Sequence, residues 1–185
     1  MAEAAVRPAT PGDAAEIARI QLSTWRTAYA ELLPPEVLDH LSQQETEQQW
    51  QHTLEHGPAQ VVIATEGPWT VGFCAAGPAP EAELAAPDGS LPTDAAEVAL
   101  ISSLLVEPRW GRRGHGGRLL ATAANLQTLR GATRGIAWVP VADTASLSFF
   151  RSAGWEPDGT VRTLDAGGRP LREMRLSGSL EFQLK

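Results

Sequence analysis

Cysteine is nearly absent: Cys74 is the single one in 185 residues, which excludes an intrachain disulfide and a cysteine-built zinc cage. Lysine is as scarce. Lys185 is the only one, so no interior lysine exists for a phosphate-gripping P-loop or a Schiff base. The longest strongly apolar uncharged run, Val98 to Val106, falls far short of the ~20 residues of a membrane span. The first residues, Met1-Ala2-Glu3-Ala4-Ala5-Val6-Arg7, lack the basic-then-apolar layout of a signal peptide, so a soluble, cytoplasmic protein is expected. Positive charge is also in deficit. Lys+Arg 15 against Asp+Glu 22 gives a net charge of −7, which argues against nucleic acid or an anionic membrane as the partner. What remains is ordinary globular usage, 43% hydrophobic and 20% charged, sufficient for the core of one domain.

The positive charge that exists is clustered. Pro108 to Ala142 holds Arg109, Arg112, Arg113, Arg118, Arg130 and Arg134 and no acid, +6 within a chain of −7, which leaves −13 on the remainder. Two explanations compete: a solvated helix face that lacks acids, or a site for a polyanion inside an acidic protein.

Along the chain, Val6-Arg7-Pro8 reads as extended, and Thr10-Pro11-Gly12-Asp13 as a turn into a helix over 13–29, with Ile17, Ile20 and Trp25 spaced for a buried stripe. Helical stretches over 35–41 and 45–56 follow, the second stopped by Gly57-Pro58. Strands are expected over 60–65 and 70–76, joined by a hairpin turn. Residues 77–96, rich in Pro, Ala and acids without periodicity, are expected as a long surface loop and a candidate lid. Glu97 to Glu107 reads as a central strand buried on both faces, followed by a glycine-rich turn, a helix over 117–130 and a strand over 136–141, a parallel βαβ unit. Asp143 caps one more helix ending at Gly154, and strands near 160–164 and 171–176 flank Asp165-Ala166-Gly167-Gly168. Residues 1–176 are expected to form one domain, with 177–185 as a tail outside it.

Gly111-Arg112-Arg113-Gly114-His115-Gly116-Gly117 lies between the buried strand and the helix start. Glycines admit positive φ, so successive N–H groups can converge on one point, and a helix N-terminus adds orphan donors and partial positive charge. With its arginines the segment forms an anion cradle suited to a pyrophosphate. It fits neither better-known phosphate motif: G-x-x-x-x-G-K-[ST] has no lysine here, and G-x-G-x-x-G needs glycine at Leu119.

The order Val106-Glu107-Pro108, Gly111 to Gly116, then Leu119-Leu120 resembles the acetyl-CoA signature (Q/R)-x-x-G-x-(G/A) of the GNAT superfamily of N-acetyltransferases. A second element, Asp143 to Trp155, is similar to the family's Asn, Ala, Tyr, Gly and Phe positions, held here by Asp143, Ser146, Phe150, Gly154 and Trp155. Trp25-Arg26-Thr27-Ala28-Tyr29 with Leu32-Leu33-Pro34 looks like a subgroup of that family with no single assigned acceptor. The resemblance implies an α/β (α+β) fold: a mixed, mostly antiparallel central sheet with one parallel crossover and helices on both faces. It also implies transfer of acetyl from acetyl-CoA to a primary amine by direct attack. The cofactor residues so implied are Leu104, Leu105, Val106, Arg112, Arg113, Gly114, His115, Gly116, Gly117, Asp143 and Phe150, with Trp25 and Tyr29 lining the acceptor cleft. The chain departs from the pattern at Gly111, where Gln or Arg is usual, at Asp143 for Asn, and at Phe150 for the tyrosine that often protonates the departing thiolate.

Because an alkylammonium must lose a proton before it attacks, a base is needed, and Glu97 at the start of the central strand is the candidate. Ser146, one helical turn before Phe150, is a second polar candidate able to position a water. The acidic remainder favours a cationic acceptor: a polyamine, an aminosugar or a peptide N-terminus. Two rivals stay open. With Phe150 in place of tyrosine the domain could bind acyl-CoA as a sensor or interaction module. His52-Thr53-Leu54-Glu55-His56 fits H-x-x-E-H, a zinc-peptidase pattern, but only as a remote alternative: the helix stops at Gly57-Pro58, no third ligand set follows, and helix-end histidines complementing the dipole explain it adequately. No metal is expected, and the oligomeric state, a homodimer included, is open.

Overall fold

A computed structural model describes residues 3–182. Seven strands form one sheet in the order β1-β2-β3-β4-β5-β7-β6, with every neighbouring pair antiparallel except β4 and β5. The strands are β1 (Ala4–Pro8), β2 (Gln60–Glu66), β3 (Trp69–Pro78), β4 (Val98–Val106), β5 (Arg134–Pro140), β6 (Glu156–Ala166) and β7 (Arg169–Ser179). The helices are α1 (Ala14–Ala28), α2 (Pro35–Asp39), α3 (Gln43–His56), α4 (Glu81–Leu84), α5 (His115–Thr128) and α6 (Thr144–Ser152). The expected mixed sheet with one parallel crossover, β4-α5-β5, is present.

Alternation along β2 and β3 decides which helix covers which face. Val61, Ile63, Phe73 and Ala75 pack with Ile17 and Ile20 of α1 and with Trp50 and Leu54 of α3. The intervening residues Val62, Ala64, Cys74 and Ala76 pack with Leu119, Leu120, Ala123 and Ala124 of α5 and with Leu147 and Phe150 of α6. A period of two in the strands and of 3.6 in the helices thus sorts the apolar residues into two layers.

Three expectations need correction. β4 is buried on both faces only in its first part; Ser102 is exposed and Ser103 to Val106 are half-buried, because the parallel partner leaves the strand there. The segment 77–96 is neither structureless nor a lid. It carries α4, whose Leu84 is buried against Val98 and Ile136, while Glu83 pairs with Arg162 at 2.8 Å and the carbonyls of Glu83 and Ala85 accept from Arg175. The reason is that Leu84 finds apolar partners on β4 and β5, while Glu83 and two carbonyls find arginines on the β6–β7 hairpin. Nor is 177–185 a tail throughout: β7 continues to Ser179 and Leu180 is buried, while 183–185 lie outside the described residues.

Trp155 explains why β7 must extend so far. It is fully buried, and a Cβ at either Gly135 or Gly178 would collide with its indole. Its Nε1–H donates to the Ser179 carbonyl at 3.1 Å. Two strands therefore carry glycine where the ring lies flat on them. Trp155→Ala is expected to cost about 3–5 kcal/mol of unfolding free energy in chemical denaturation, and removal of 177–185 should destabilise the fold through the same indole.

Candidate active site

The central strands part company early. β4 and β5 pair only over Val98↔Arg134, Ala99↔Gly135 and Leu100↔Ile136, after which β4 follows β3 and β5 follows β7. A bulge accompanies the divergence: Ala76 opposes Ile101 and Ala75 opposes Ser103, so Ser102 is the extra residue, its Oγ–H donating to the Ala75 carbonyl at 3.2 Å. A bulge bends the strand that carries it and ends regular pairing. Glu107 N–H donates to the Val71 carbonyl, so by alternation Leu105 also faces β3, and the main-chain groups of Leu104 and Val106 face the gap.

Into that gap open a turn and two helix N-termini. The resulting cavity, about 510 Å³, is lined by Leu104, Leu105 and Val106 of β4, by the segment from Trp110 to Gly117 (Arg113 excepted), by Asp143, Ser146, Phe149 and Phe150, and by Thr24, Ala28 and Tyr29 from the end of α1. Helix α5 starts at His115, with Gly114 as its N-cap at φ +80°. Arg112 also has positive φ, +61°, unusual for a residue with a side chain. Alternation of this kind turns consecutive N–H groups toward one side. The N–H groups of Arg112 and of Gly114 to Gly117 have no acceptor among the described residues, while that of Arg113 closes the turn over 111–112.

Side chains around the turn divide by partner. Arg113 donates to Glu66 Oε1 at 2.9 Å and stacks on Trp110, so it braces the turn and does not line the cavity. His115 is buried and donates from Nε2 to Glu66 Oε2 at 2.8 Å. The His115 hydrogen bond and the Arg113 guanidinium hold the Glu66 carboxyl below the usual carboxylate range. Arg109 pairs with Glu107 and Arg134 with Asp94. The six-arginine segment is thus partly spent on ion pairs. Arg112 and Arg118 have no carboxylate partner among the described residues, and Arg118 lies over Gly114, a position that sequence reasoning did not single out. Trp110 and Thr24 were missed as well.

Three buried polar atoms without a partner belong to residues of this cavity: Thr24 Oγ1, His115 Nδ1 and Trp110 Nε1. Such atoms are costly unless something supplies a hydrogen bond. No local sequence pattern marks Thr24; it becomes visible only because Ala28, four residues on, shares its helix face.

Two expected site residues are elsewhere. Glu97 is exposed at the other end of β4, where Thr133 Oγ1–H donates to it. Six residues of strand at about 3.3 Å each separate Val98 from Leu104, so Glu97 is roughly 20 Å from the cavity. Trp25 is half-buried but does not line the cavity, since it is rotated about 100° around α1 from Thr24. Tyr29 does line it, because it follows the last turn of α1 and leaves the helical backbone at φ −106°. Its Oη–H donates to Asp143 Oδ2 at 3.3 Å. Burial first, and then the Asp143 charge, raise the Tyr29 phenol well above its ordinary value. Cys74 is fully buried, with its thiol pushed up to about 12 by desolvation. His52 and His56 stack at 5.0 Å between centroids on the last turns of α3, and no group of three or more potential metal ligands forms among the described residues.

Residues 19–155 match the model of the acetyltransferase (GNAT) family. An uncharacterized N-acetyltransferase of Bacillus subtilis, YuaI, is 30% identical over 173 residues, 92% of this chain and 90% of that protein. Among solved structures, the PaiA N-acetyltransferase of Thermoplasma acidophilum in complex with coenzyme A superposes with a TM-score of 0.71 at 14% identity, covering 96% of this chain and 99% of that one. YncA of Salmonella typhimurium, solved with its cofactor acetyl-CoA, gives 0.66 at 16% identity over 96% and 94%. At these identities the two structures speak for the fold.

Tyr29 is the only tyrosine, so tyrosinate absorbance reports it alone. Titration should begin well above the ordinary phenol value of about 10. Asp143→Asn should bring the midpoint down, burial still keeping it raised; a midpoint near 10 in the native chain would contradict the packing described.

Proposed function

The chain belongs to the acetyltransferase (GNAT) family, and from that membership we propose that it moves the acetyl group of acetyl-CoA onto a primary amine, a small cationic amine or a peptide N-terminus, by direct attack. The observation that carries this proposal is the set of N–H groups of Arg112 and of Gly114 to Gly117, without acceptors among the described residues and belonging to residues that line one cavity. A diphosphate supplies acceptors to such a set, and the N-terminus of α5 favours its charge. Arg112 and Arg118 add guanidinium groups; Arg113 acts on the turn through Glu66.

The remaining features fit the rest of a thioester carrier. A pantetheine arm is an extended chain with amides, suited to the free main-chain edge of Leu104 and Val106 and to the apolar side chains of Leu105 and Phe150. Thr24 Oγ1 and Trp110 Nε1, buried without partners, gain them from a bound amide or ordered water. A main-chain N–H of β4 at the gap is placed to hold the oxygen of a carbonyl as negative charge develops on it. Direct attack is supported by the state of Cys74, whose buried, high-pKa thiol is no nucleophile. A thiol of pKa about 8.5 departs readily as thiolate near neutrality, so the absence of a hydroxyl at Phe150 is tolerable. Among the described residues Asp143 is the only carboxylate lining the cavity, which together with the net acidity favours a cationic acceptor.

Gly117 gives the cleanest test. Gly114 requires its positive φ, and a Cβ on Gly116 would press on Phe149, but a Cβ on Gly117 meets nothing within 4 Å. Gly117→Leu should leave the Tm unchanged and weaken acetyl-CoA binding about tenfold or more, a loss of about 1.4 kcal/mol. Unaltered affinity would overturn the cofactor assignment. In the unmodified chain, CoA release with a panel of primary amines is expected; tight acetyl-CoA binding with no release on any amine would favour a sensor.

A further inference from the structure

Asp143 is the N-cap of α6, and its Oδ1 accepts the Ser146 N–H at 3.0 Å, an ordinary cap. Two further bonds are not required by the cap. Asp143 Oδ2 also accepts the Ser146 hydroxyl at 2.7 Å and the Tyr29 hydroxyl at 3.3 Å, the latter from a residue 114 positions away at the end of α1. An ionised carboxylate has only lone pairs, so both hydroxyl protons are committed to Asp143. Both hydroxyl oxygens are left with lone pairs, and Ser146 and Tyr29 line the cavity. The cluster is therefore an acceptor toward any guest. Thr24, 6% exposed and on α1 before Tyr29, also lines the cavity and has an Oγ1 with no partner among the described residues. On α6 the other cavity-lining residues are Ala145, Phe149 and Phe150, which leaves Ser146 as that helix's one polar side chain there.

Resting on the acetyl-transfer reading above, we infer that Ser146, Asp143 and Tyr29 form the subsite that receives the acceptor's ammonium group and removes its proton. An ammonium has three N–H donors and no lone pair, the complement of this cluster. Ser146 Oγ is the catalytic atom. It takes a proton from the ammonium nitrogen as its own proton passes to Asp143 Oδ2. The freed nitrogen lone pair forms the C–N bond at the thioester carbonyl, and the C–S bond breaks with its electron pair on sulfur. The second nitrogen proton goes to solvent. The Asp143 proton returns through Ser146 to the sulfur, leaving amide, CoA thiol and one proton released. Asp143 acts through Ser146, and Tyr29 positions Asp143. The other charged or titratable groups near the cluster are Glu173 of β7, whose charge reaches Tyr29 and which is tied to Arg162, and, lining the same cavity, Arg112 and His115, the latter hydrogen-bonded to Glu66.

The test compares Asp143→Asn and Ser146→Ala with the unmodified chain, using acetyl-CoA with 1,4-diaminobutane and with an alanyl peptide. In Ser146→Ala, acetyl-CoA affinity should stay within about threefold of the original. At neutral pH, kcat/KM for the amine should fall about 100-fold in Asp143→Asn and about tenfold in Ser146→Ala. Both losses should shrink as pH approaches the amine's own value, about 10 for the diamine and about 8 for the peptide N-terminus, where free amine needs no proton acceptor. Ser146→Ala leaves the carboxylate cap of α6 in place, so it carries the test alone if Asp143→Asn fails to fold. Variants that keep kcat/KM, or a loss equal at every pH, overturn the subsite. An unmodified chain that binds acetyl-CoA yet releases no CoA with these two amines or with any other primary amine of the panel, aminosugars included, overturns the acetyl-transfer reading itself.

Discussion

β4 and β5 hydrogen-bond to each other over three residue pairs and to outer neighbours for the rest of their lengths. That divergence is the constraint on which the site depends. A sheet paired throughout would satisfy the N–H and C=O groups of Leu104 and Val106 and leave no gap. Because the strands separate, main-chain edge becomes available inside the molecule, where hydrogen bonds are strong and unpaired groups costly. The same separation brings the N-termini of α5 and α6 to one opening, since each helix follows one of the two diverging strands. The parallel sense of the pair is what puts both strand ends, and hence both helix starts, on one side.

Around that opening charge is arranged by pairing rather than by abundance. Glu66 ties down Arg113 and His115, Glu107 ties Arg109 and Arg19, and Asp94 ties Arg134 at the opposite end of β5. Such pairs contribute little stability where exposed, but they hold side chains and segments in place. Near the turn, Arg112 and Arg118 are left for a ligand's negative charge, beside main-chain donors. Asp143 supplies the opposite sign in the lining of the same cavity. An anionic carrier and a cationic acceptor would thus meet surfaces of opposite character a short distance apart.

Much of this was legible in the residues. Glycines flanked by an apolar run and a helical stripe marked the turn, Asp143 marked the start of α6, and the βαβ spacing marked the one parallel pair. What escaped was long-range. Glu97 looked suitable because it begins the central strand, whose extent was legible, yet the functional end of a parallel strand is its C-terminal end, a matter of sheet topology that the residues around Glu97 do not display. Arg113 looked equivalent to Arg112 until Glu66, on the neighbouring hairpin, was seen to claim it. Thr24 and Trp110 carried no signal beyond helix and turn. The stretch 177–179 read as a tail because its small polar residues lack an apolar pattern; Gly178 is there to accommodate Trp155. In each case a partner distant in sequence decides the role.

The most direct test of the central claim is an amide NMR titration of the chain with CoA. The main-chain N–H groups of Arg112 and of Gly114 to Gly117 should show the largest shifts, moving as hydrogen bonds to a diphosphate form, with smaller changes at Leu104 and Val106. Saturable CoA binding that leaves the Arg112 and Gly114–Gly117 amides unmoved, or no binding at all, would contradict the account.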